Sequence, residues 1–334
     1  MQKIKSFFSP PDIVYSQPPV LIGSSSKKDG FEWYRDFIDY EKVEELTKNN
    51  KGRLAVLDDT AKTSNSFLVG KVDTVYEFTN EGGTSGFHGH HVAGIVVSNK
   101  HGLFKNTSIG LFKVLSSRNG LGASRWIAAG IEAAQIEGYE VINASLGADR
   151  LDPRIDVAVR NFCSDNKRFF VCASGNDASQ TDYPAALSKK VAGVISVGAV
   201  EKIYNEYKIA TFSSFGSVTV VAAGVDILST FPEDKEEFLS GTSMATPFIA
   251  GLLSASKAIY PEFNQDTFFQ VIESCVVKLE GATSSYQGHG LVKIVDFLEA
   301  VTKLAKGEKL ENLSIPPKTE KMSFLKKLKS WIFS

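Results

Sequence analysis

Short, almost continuously apolar runs that alternate with longer stretches of helical spacing are the feature that most limits what this chain can become. The runs fall at 54–57, 111–115, 141–144, 169–173 and 194–200. Runs of this length that lack strict alternation read as strands buried on both faces. Between them, 88–98, 124–137 and 155–165 repeat their apolar residues at helical intervals. Parallel neighbours need a long crossover, a helix supplies it, and the helices then cover both faces. The predicted fold is therefore α/β, a doubly wound and mostly parallel sheet with helices on both faces. A length of 334 residues with 43% hydrophobic side chains is enough for such a core in a single domain.

The two ends depart from the pattern. Residues 1–30 contain Pro10, Pro11, Pro18 and Pro19 and a serine triplet, a composition that extends more readily than it packs. They read as an arm. The body spans 31–305 and opens with a helix over 31–48 that stops before Gly52. Residues 306–334 pass through Pro316 and Pro317 into a basic tail. There Phe324, Leu325, Leu328, Trp331 and Ile332 keep helical spacing beside Lys326, Lys327 and Lys329. The tail reads as a short helix docked on the body, with weak contact to a membrane or a partner as the alternative. With 37 Lys and Arg against 38 Asp and Glu, the net charge of -1 provides no field for nucleic acid. Cys163, Cys172 and Cys275 are odd in number and far apart, which suits free thiols in a reducing compartment. The apolar pair Phe7 and Phe8 is too short for a signal-peptide core. A cytoplasmic location is the expectation.

Three segments place reactive residues where an apolar pattern begins or ends. Asp58 and Asp59 follow the run at 54–57 directly, at the strand end where open α/β sheets put their ligands. His88, His90 and His91 open a helix of small residues. Metal binding is weak here, since His88 and His90 miss the i, i+4 spacing that puts two imidazoles on one helical face. A histidine near a carboxylate is better suited to proton transfer. Ser243 lies between Gly241 and Ala245, just ahead of the helical run 248–260. Pro247 is expected in the first turn, where amides lack helical partners anyway. A serine at a helix N-terminus has partial positive charge beside it, favourable to an anion forming there.

These blocks resemble the subtilisin-like serine peptidases. The resemblance is carried by Ala55-Val56-Leu57-Asp58, by His88-Gly89-His90-His91-Val92-Ala93-Gly94 and by Gly241-Thr242-Ser243-Met244-Ala245-Thr246-Pro247, in the order Asp, His, Ser. It covers 52–305. It implies a serine endopeptidase in which Ser243 is the nucleophile, His88 the base and Asp58 its orienting carboxylate. Asn176, in Ala173-Ser174-Gly175-Asn176-Asp177, is implied as an oxyanion donor together with the Ser243 amide. An extended peptide is expected between one edge, Gly120, Leu121 and Gly122, and another, Ser145, Leu146 and Gly147. Ala173, Ser174 and Gly175 would wall the pocket for the residue before the cut. An inactive, peptide-binding relative is the alternative class.

The chain also departs from the family pattern. Asp59 stands where Ser or Thr is usual, and the Asp-Asp pair is similar to the kexin-like branch. Asp59 and Asp177 together would favour Lys or Arg near the cleavage site. The stretch before Asp58 is too short for a full-size folded prodomain, so the arm is expected to lie across the cleft as an inhibitory segment. No cofactor is expected. Calcium, which the family often carries, has only a poor set of acceptors in 99–109, namely Asn99, Asn106, Thr107, Ser108 and backbone carbonyls.

Overall fold

A computed structural model of the chain describes residues 12–16, 32–82 and 85–309. The predicted tail helix and most of the arm lie outside these. The described chain begins with β1 (Val14–Tyr15), α1 (Tyr40–Thr47), β2 (Gly52–Asp58), β3 (Val72–Glu77), α2 (Phe87–Val97) and β4 (Thr107–Lys113). It continues with β5 (Gly122–Ala123), α3 (Ser124–Ile136), β6 (Val141–Ala144), α4 (Pro153–Cys163), β7 (Phe169–Ala173), β8 (Val194–Ile203) and β9 (Glu206–Ile209). After these come β10 (Val220–Ala223), β11 (Ile227–Phe231), β12 (Lys235–Leu239), α5 (Thr242–Ile259) and α6 (Gln265–Ile272). β13 (Val276–Val277), α7 (Ser284–Gln287), β14 (Leu291–Val292) and α8 (Ile294–Ala305) complete it.

Among the described residues the main sheet has the order β13-β14-β10-β8-β7-β6-β2-β4-β3, with β9 hung on β8. Every pair along it is parallel except β13 with β14 and β9 with β8. This is the single α/β domain the apolar runs predict. The runs are continuous because both faces are covered. One apolar cluster includes Val96 on α2, Phe248 and Leu252 on α5 and Phe297 on α8. The other includes Ile127 and Ile131 on α3 and Ile155 and Phe162 on α4.

The expected helix over 31–48 is divided into a 3-10 turn, Trp33–Asp36, and α1. Asp39 causes the break, because its side chain accepts from the Lys42 amide and caps a new helix start. Strand order reverses beside β2. From there the chain goes to β3 and β4 on one side and to β6, β7 and β8 on the other. A reversal of this kind opens a crevice at the carboxyl ends of the central strands.

Candidate active site

Asp58 ends β2 at that crevice. Its backbone carbonyl accepts from the amides of Val114 (2.9 Å) and Leu115 (3.2 Å), so the residue is anchored to the chain leaving β4. Its side chain is fully buried. Oδ1 accepts from the Asp59 amide at 2.8 Å and lies 2.8 Å from His88 Nδ1. That bond requires a proton on Nδ1, which leaves the lone pair of the neutral ring on Nε2. Nε2 is buried and has no hydrogen-bond partner. Burial pulls the His88 pKa down, but the charge and hydrogen bond of Asp58, with the nearby Asp59, outweigh it and hold the ring above its ordinary value.

Asp59 occupies a different place from the one its sequence suggests. It is 3% exposed, and its Oδ1 accepts from the Gly89 amide at 2.6 Å. The N-cap of α2 is Gly86, which has no side chain to offer. Asp59 therefore caps α2 from the neighbouring strand end and fixes the turn that carries His88. A Cβ on Gly86 would fall 1.8 Å from the Asp59 carboxylate, and one on Gly89 would meet the Thr60 carbonyl at 2.5 Å, so both positions demand glycine. Burial, then the adjacent Asp58 charge, raises the Asp59 carboxyl far above the usual carboxylate range.

The other two histidines of the block hold the structure together. His90 Nε2 accepts from the Lys62 amide (2.9 Å), so its Nδ1–H donates to the Gly86 carbonyl (2.6 Å). His91 donates from Nε2 to the Glu237 carbonyl at 3.0 Å. Burial lowers both, His91 to about 3, so both rings stay neutral.

Register brings the serine to the same crevice. Leu57 pairs with Ala144, which sets Ser145 beside Asp58. Ser243, in the first turn of α5, donates from its hydroxyl to the Ser145 carbonyl at 3.4 Å. In return, Ser145 Oγ donates to the Ser243 carbonyl at 3.0 Å. The second bond explains how Pro247 is accommodated. α5 starts at Thr242, so Pro247 lies beyond the predicted first turn and is inside the helix. Its missing N–H would have bonded the Ser243 carbonyl four residues back. Ser145 supplies the donor instead and is itself held by Asn143 Nδ2 at 3.0 Å.

Asn176 faces the same helix end. Its Oδ1 accepts from the Thr242 amide and hydroxyl, both at 2.9 Å. The amide nitrogen, Nδ2, is buried without a hydrogen-bond partner. A Cβ built at Gly241 would lie 3.4 Å from Nδ2 and 3.7 Å from the Ser243 amide nitrogen, so the two donors flank one small space. Ala173 ends β7, and Ser174 and Gly175 follow, with Gly175 N–H on the Thr242 hydroxyl at 3.3 Å. Asp177 is exposed beside them.

The two expected peptide edges are occupied by the chain itself. Val14 and Tyr15 pair antiparallel with Ala123 and Gly122, and Ser16 bridges Gly147 through N–H···O bonds of 2.9 and 3.2 Å. Gly120 and Leu121 form the turn before β5, and Leu146 is buried. Tyr15 is fully buried in the α3–α4 cluster. Its hydroxyl donates to the Arg150 carbonyl at 3.1 Å and accepts from the Asp152 amide at 3.3 Å. Burial pushes this phenol up to about 12. An anchor at Tyr15 was not legible in the sequence, where the prolines dominate.

The loop at 99–109 is tied to its neighbours by hydrogen bonds. Lys71 Nζ donates to the Lys105 carbonyl at 2.6 Å, Asn106 Nδ2 donates to the carbonyls of Thr47 and Lys48, and Ser108 Oγ donates to Asp73. Among the described residues, no group of three or more His, Cys, Asp or Glu side chains is placed to hold a metal ion.

A histidine tied to a buried carboxylate, a serine at a helix N-terminus and two converging amide donors have the chemistry of a serine hydrolase. The chain belongs to the subtilase family, which matches residues 48–290, and it is a subtilisin-like serine endopeptidase. It is 33% identical over 309 residues to a thermophilic serine proteinase of Bacillus sp. (strain AK1), covering 86% of this chain and 73% of that protein. It is 33% identical over 234 residues to the major intracellular serine protease of Bacillus subtilis (strain 168), covering 64% and 71%. An intracellular serine protease of Paenibacillus polymyxa is 29% identical over 282 residues, covering 78% and 83%. Among the described residues, no helix is long and apolar enough to cross a membrane.

Proposed function

We propose that Asp58, His88 and Ser243 form the proton relay of this peptidase, and that the arm at 12–16 occupies its substrate track. The relay reading is carried by the His88 pair: Nδ1 is committed to Asp58 while Nε2, the basic atom, is buried without a partner. Ser243 Oγ attacks the peptide carbonyl and His88 Nε2 takes its proton. Asp58 keeps the proton of Nδ1 in place and stabilises the imidazolium. The carbonyl oxygen becomes an oxyanion between Asn176 Nδ2 and the Ser243 amide. His88 returns the proton to the leaving amine, and water then releases the acyl group from Ser243 by the same steps in reverse.

Substrates bind as an added strand between Gly120–Leu121–Gly122 and Ser145–Leu146–Gly147, with Ala173, Ser174 and Gly175 at the pocket before the cut. The register of the arm supports this track, since Tyr15 and Ser16 already pair with both edges. The arm thus acts as an internal competitor. A preference for basic residues has a single exposed carboxylate behind it, Asp177, because Asp59 is committed to α2. The likeness to two intracellular proteases supports work inside the cell on protein or peptide substrates. Labelling with a fluorophosphonate tests the relay. Ser243 is expected to react, Ser243→Ala to be silent and His88→Ala to be strongly slowed; equal labelling of the Ser243→Ala protein would refute it.

A further inference from the structure

The arm carries a second anchor besides Tyr15. Asp12 Oδ1 accepts from Arg154 Nη1 at 3.0 Å and from the Arg125 amide at 3.3 Å, while the Ser124 hydroxyl, 3.3 Å away, gives its proton to Asp152 Oδ2 at 2.6 Å. Its Oδ2 is ion-paired with the Arg125 guanidinium. Both oxygens of one carboxylate are therefore received by groups from the first turns of α3 and α4.

The receiving site is preorganised. Arg154 Nε and Nη2 bind Asp152 at 2.9 and 2.7 Å, and Nη2 also donates to Ser124 Oγ at 2.8 Å, which leaves Nη1 pointing to the arm. Ser124 is fully buried and Asp152 is 1% exposed. Arg154, through hydrogen bonds and charge, holds the Asp152 carboxyl well below the usual carboxylate range, so the clamp stays ionised. Asp152 also joins this site to the aromatic one, because its amide donates to the Tyr15 hydroxyl. Between the anchors, Ser124 N–H donates to the Ile13 carbonyl at 3.1 Å and the Ile13 amide donates to Ser124 Oγ at 3.3 Å. The backbone therefore sets the distance from the acid to the aromatic residue. Arg125 and Arg154 also line a groove of about 500 Å³ together with Ala128, Ala129, Glu132 and Val157.

We propose that Arg125 and Arg154, with Ser124 seating the backbone beside them, are a carboxylate-reading subsite for substrates, selecting Asp or Glu three residues before an aromatic anchor in the peptide to be cut. This rests on the reading that substrates follow the track of the arm. Asp12 and Tyr15 are then the chain's own copy of the recognition element. The site lies far upstream of the cut. In the register of Ser16 against Gly147, a peptide reaches Ser145, and with it Ser243, two residues further on.

The test uses the full chain carrying Asp12→Asn, which leaves the arm in place with its carboxylate removed. Two fluorogenic peptides are compared, one with Asp-Ile-Val-Tyr-Ser-Gln ahead of the scissile residue and one with Asn-Ile-Val-Tyr-Ser-Gln. The Asp peptide is expected to have about a tenfold higher kcat/KM, the worth of one charge-assisted contact, expressed in KM. The advantage should shrink with added salt and disappear in Arg154→Ala. Arg125→Gln, at a side chain that is 58% exposed, is the variant least exposed to a folding defect and should reduce it as well. Where turnover is slow, the same comparison is made as Ki against an unrelated substrate. Equal values for the two peptides, with both bound or cut, would overturn the subsite and leave the catalytic reading standing. Failure of Ser243 to react with a fluorophosphonate would instead remove the reading beneath it.

Discussion

Replacing Tyr15 by Ala removes the deepest anchor of the arm while leaving every residue of the catalytic crevice in place. A buried aromatic side chain covers about 150–250 Å², and at about 25 cal/mol per Å² its gross worth is roughly 4–6 kcal/mol. Ordering the side chain on the groove costs about 0.5–1.5 kcal/mol. A net loss of about 3 kcal/mol shifts the arm from bound toward free by about two orders of magnitude. Tyr15→Phe keeps the ring and loses only the bonds to Arg150 and Asp152, roughly 1 kcal/mol. Initial rates on a short fluorogenic peptide, wild type against the two variants, give the readout. The kcat/KM should rise in the order wild type, Tyr15→Phe, Tyr15→Ala, up to the ceiling set by the fully open cleft. An unchanged or lower kcat/KM in Tyr15→Ala, accompanied by a fall in Tm, would refute the inhibitory reading and make the segment part of the folded body.

Two further outcomes follow from the site. In the proposed relay His88 must be neutral to accept the Ser243 proton, and its pKa is raised, so kcat/KM should fall on acidification with a midpoint above the ordinary imidazole value; a midpoint below that value would contradict the pairing with Asp58. The sign for stability is opposite, since a raised histidine contributes fully below its unfolded pKa and loses that contribution as pH rises through the folded one. Ser145→Ala should cost about 1–3 kcal/mol of stability by removing the donor that Ser145 gives the Ser243 carbonyl beneath Pro247, and lower kcat with it; an unchanged Tm in a denaturation scan would show that this bond contributes nothing.

The sequence made the central strands legible because residues such as Phe169, Val171 and Ile195 are buried from both sides and cannot alternate with polar partners. The edge elements were not legible for the same reason reversed. β3 alternates half-buried with exposed residues and buries none fully, and β12 carries Lys235, Glu236 and Glu237. Nothing local marks β1 as a strand, because its two residues become one only by pairing with Gly122 and Ala123. The crevice residues Asp58, His88 and Ser243 stood out as polar interruptions of apolar pattern, whereas Asn176 looks like a turn residue and was implied only by the family resemblance. Asp59 looked like a substrate contact because its pairing with the Gly89 amide depends on how α2 meets β2, which spacing does not encode. Pro247 was likewise understood only when the Ser145 donor was seen beneath it.

The sheet divides the enzyme's labour. Its one side holds α2 and α5, which carry His88 and Ser243, and its other side holds α3 and α4, whose first turns hold Asp12 of the arm. A wall of backbone separates the two, so changes in what is gripped need not disturb the pose of what cuts.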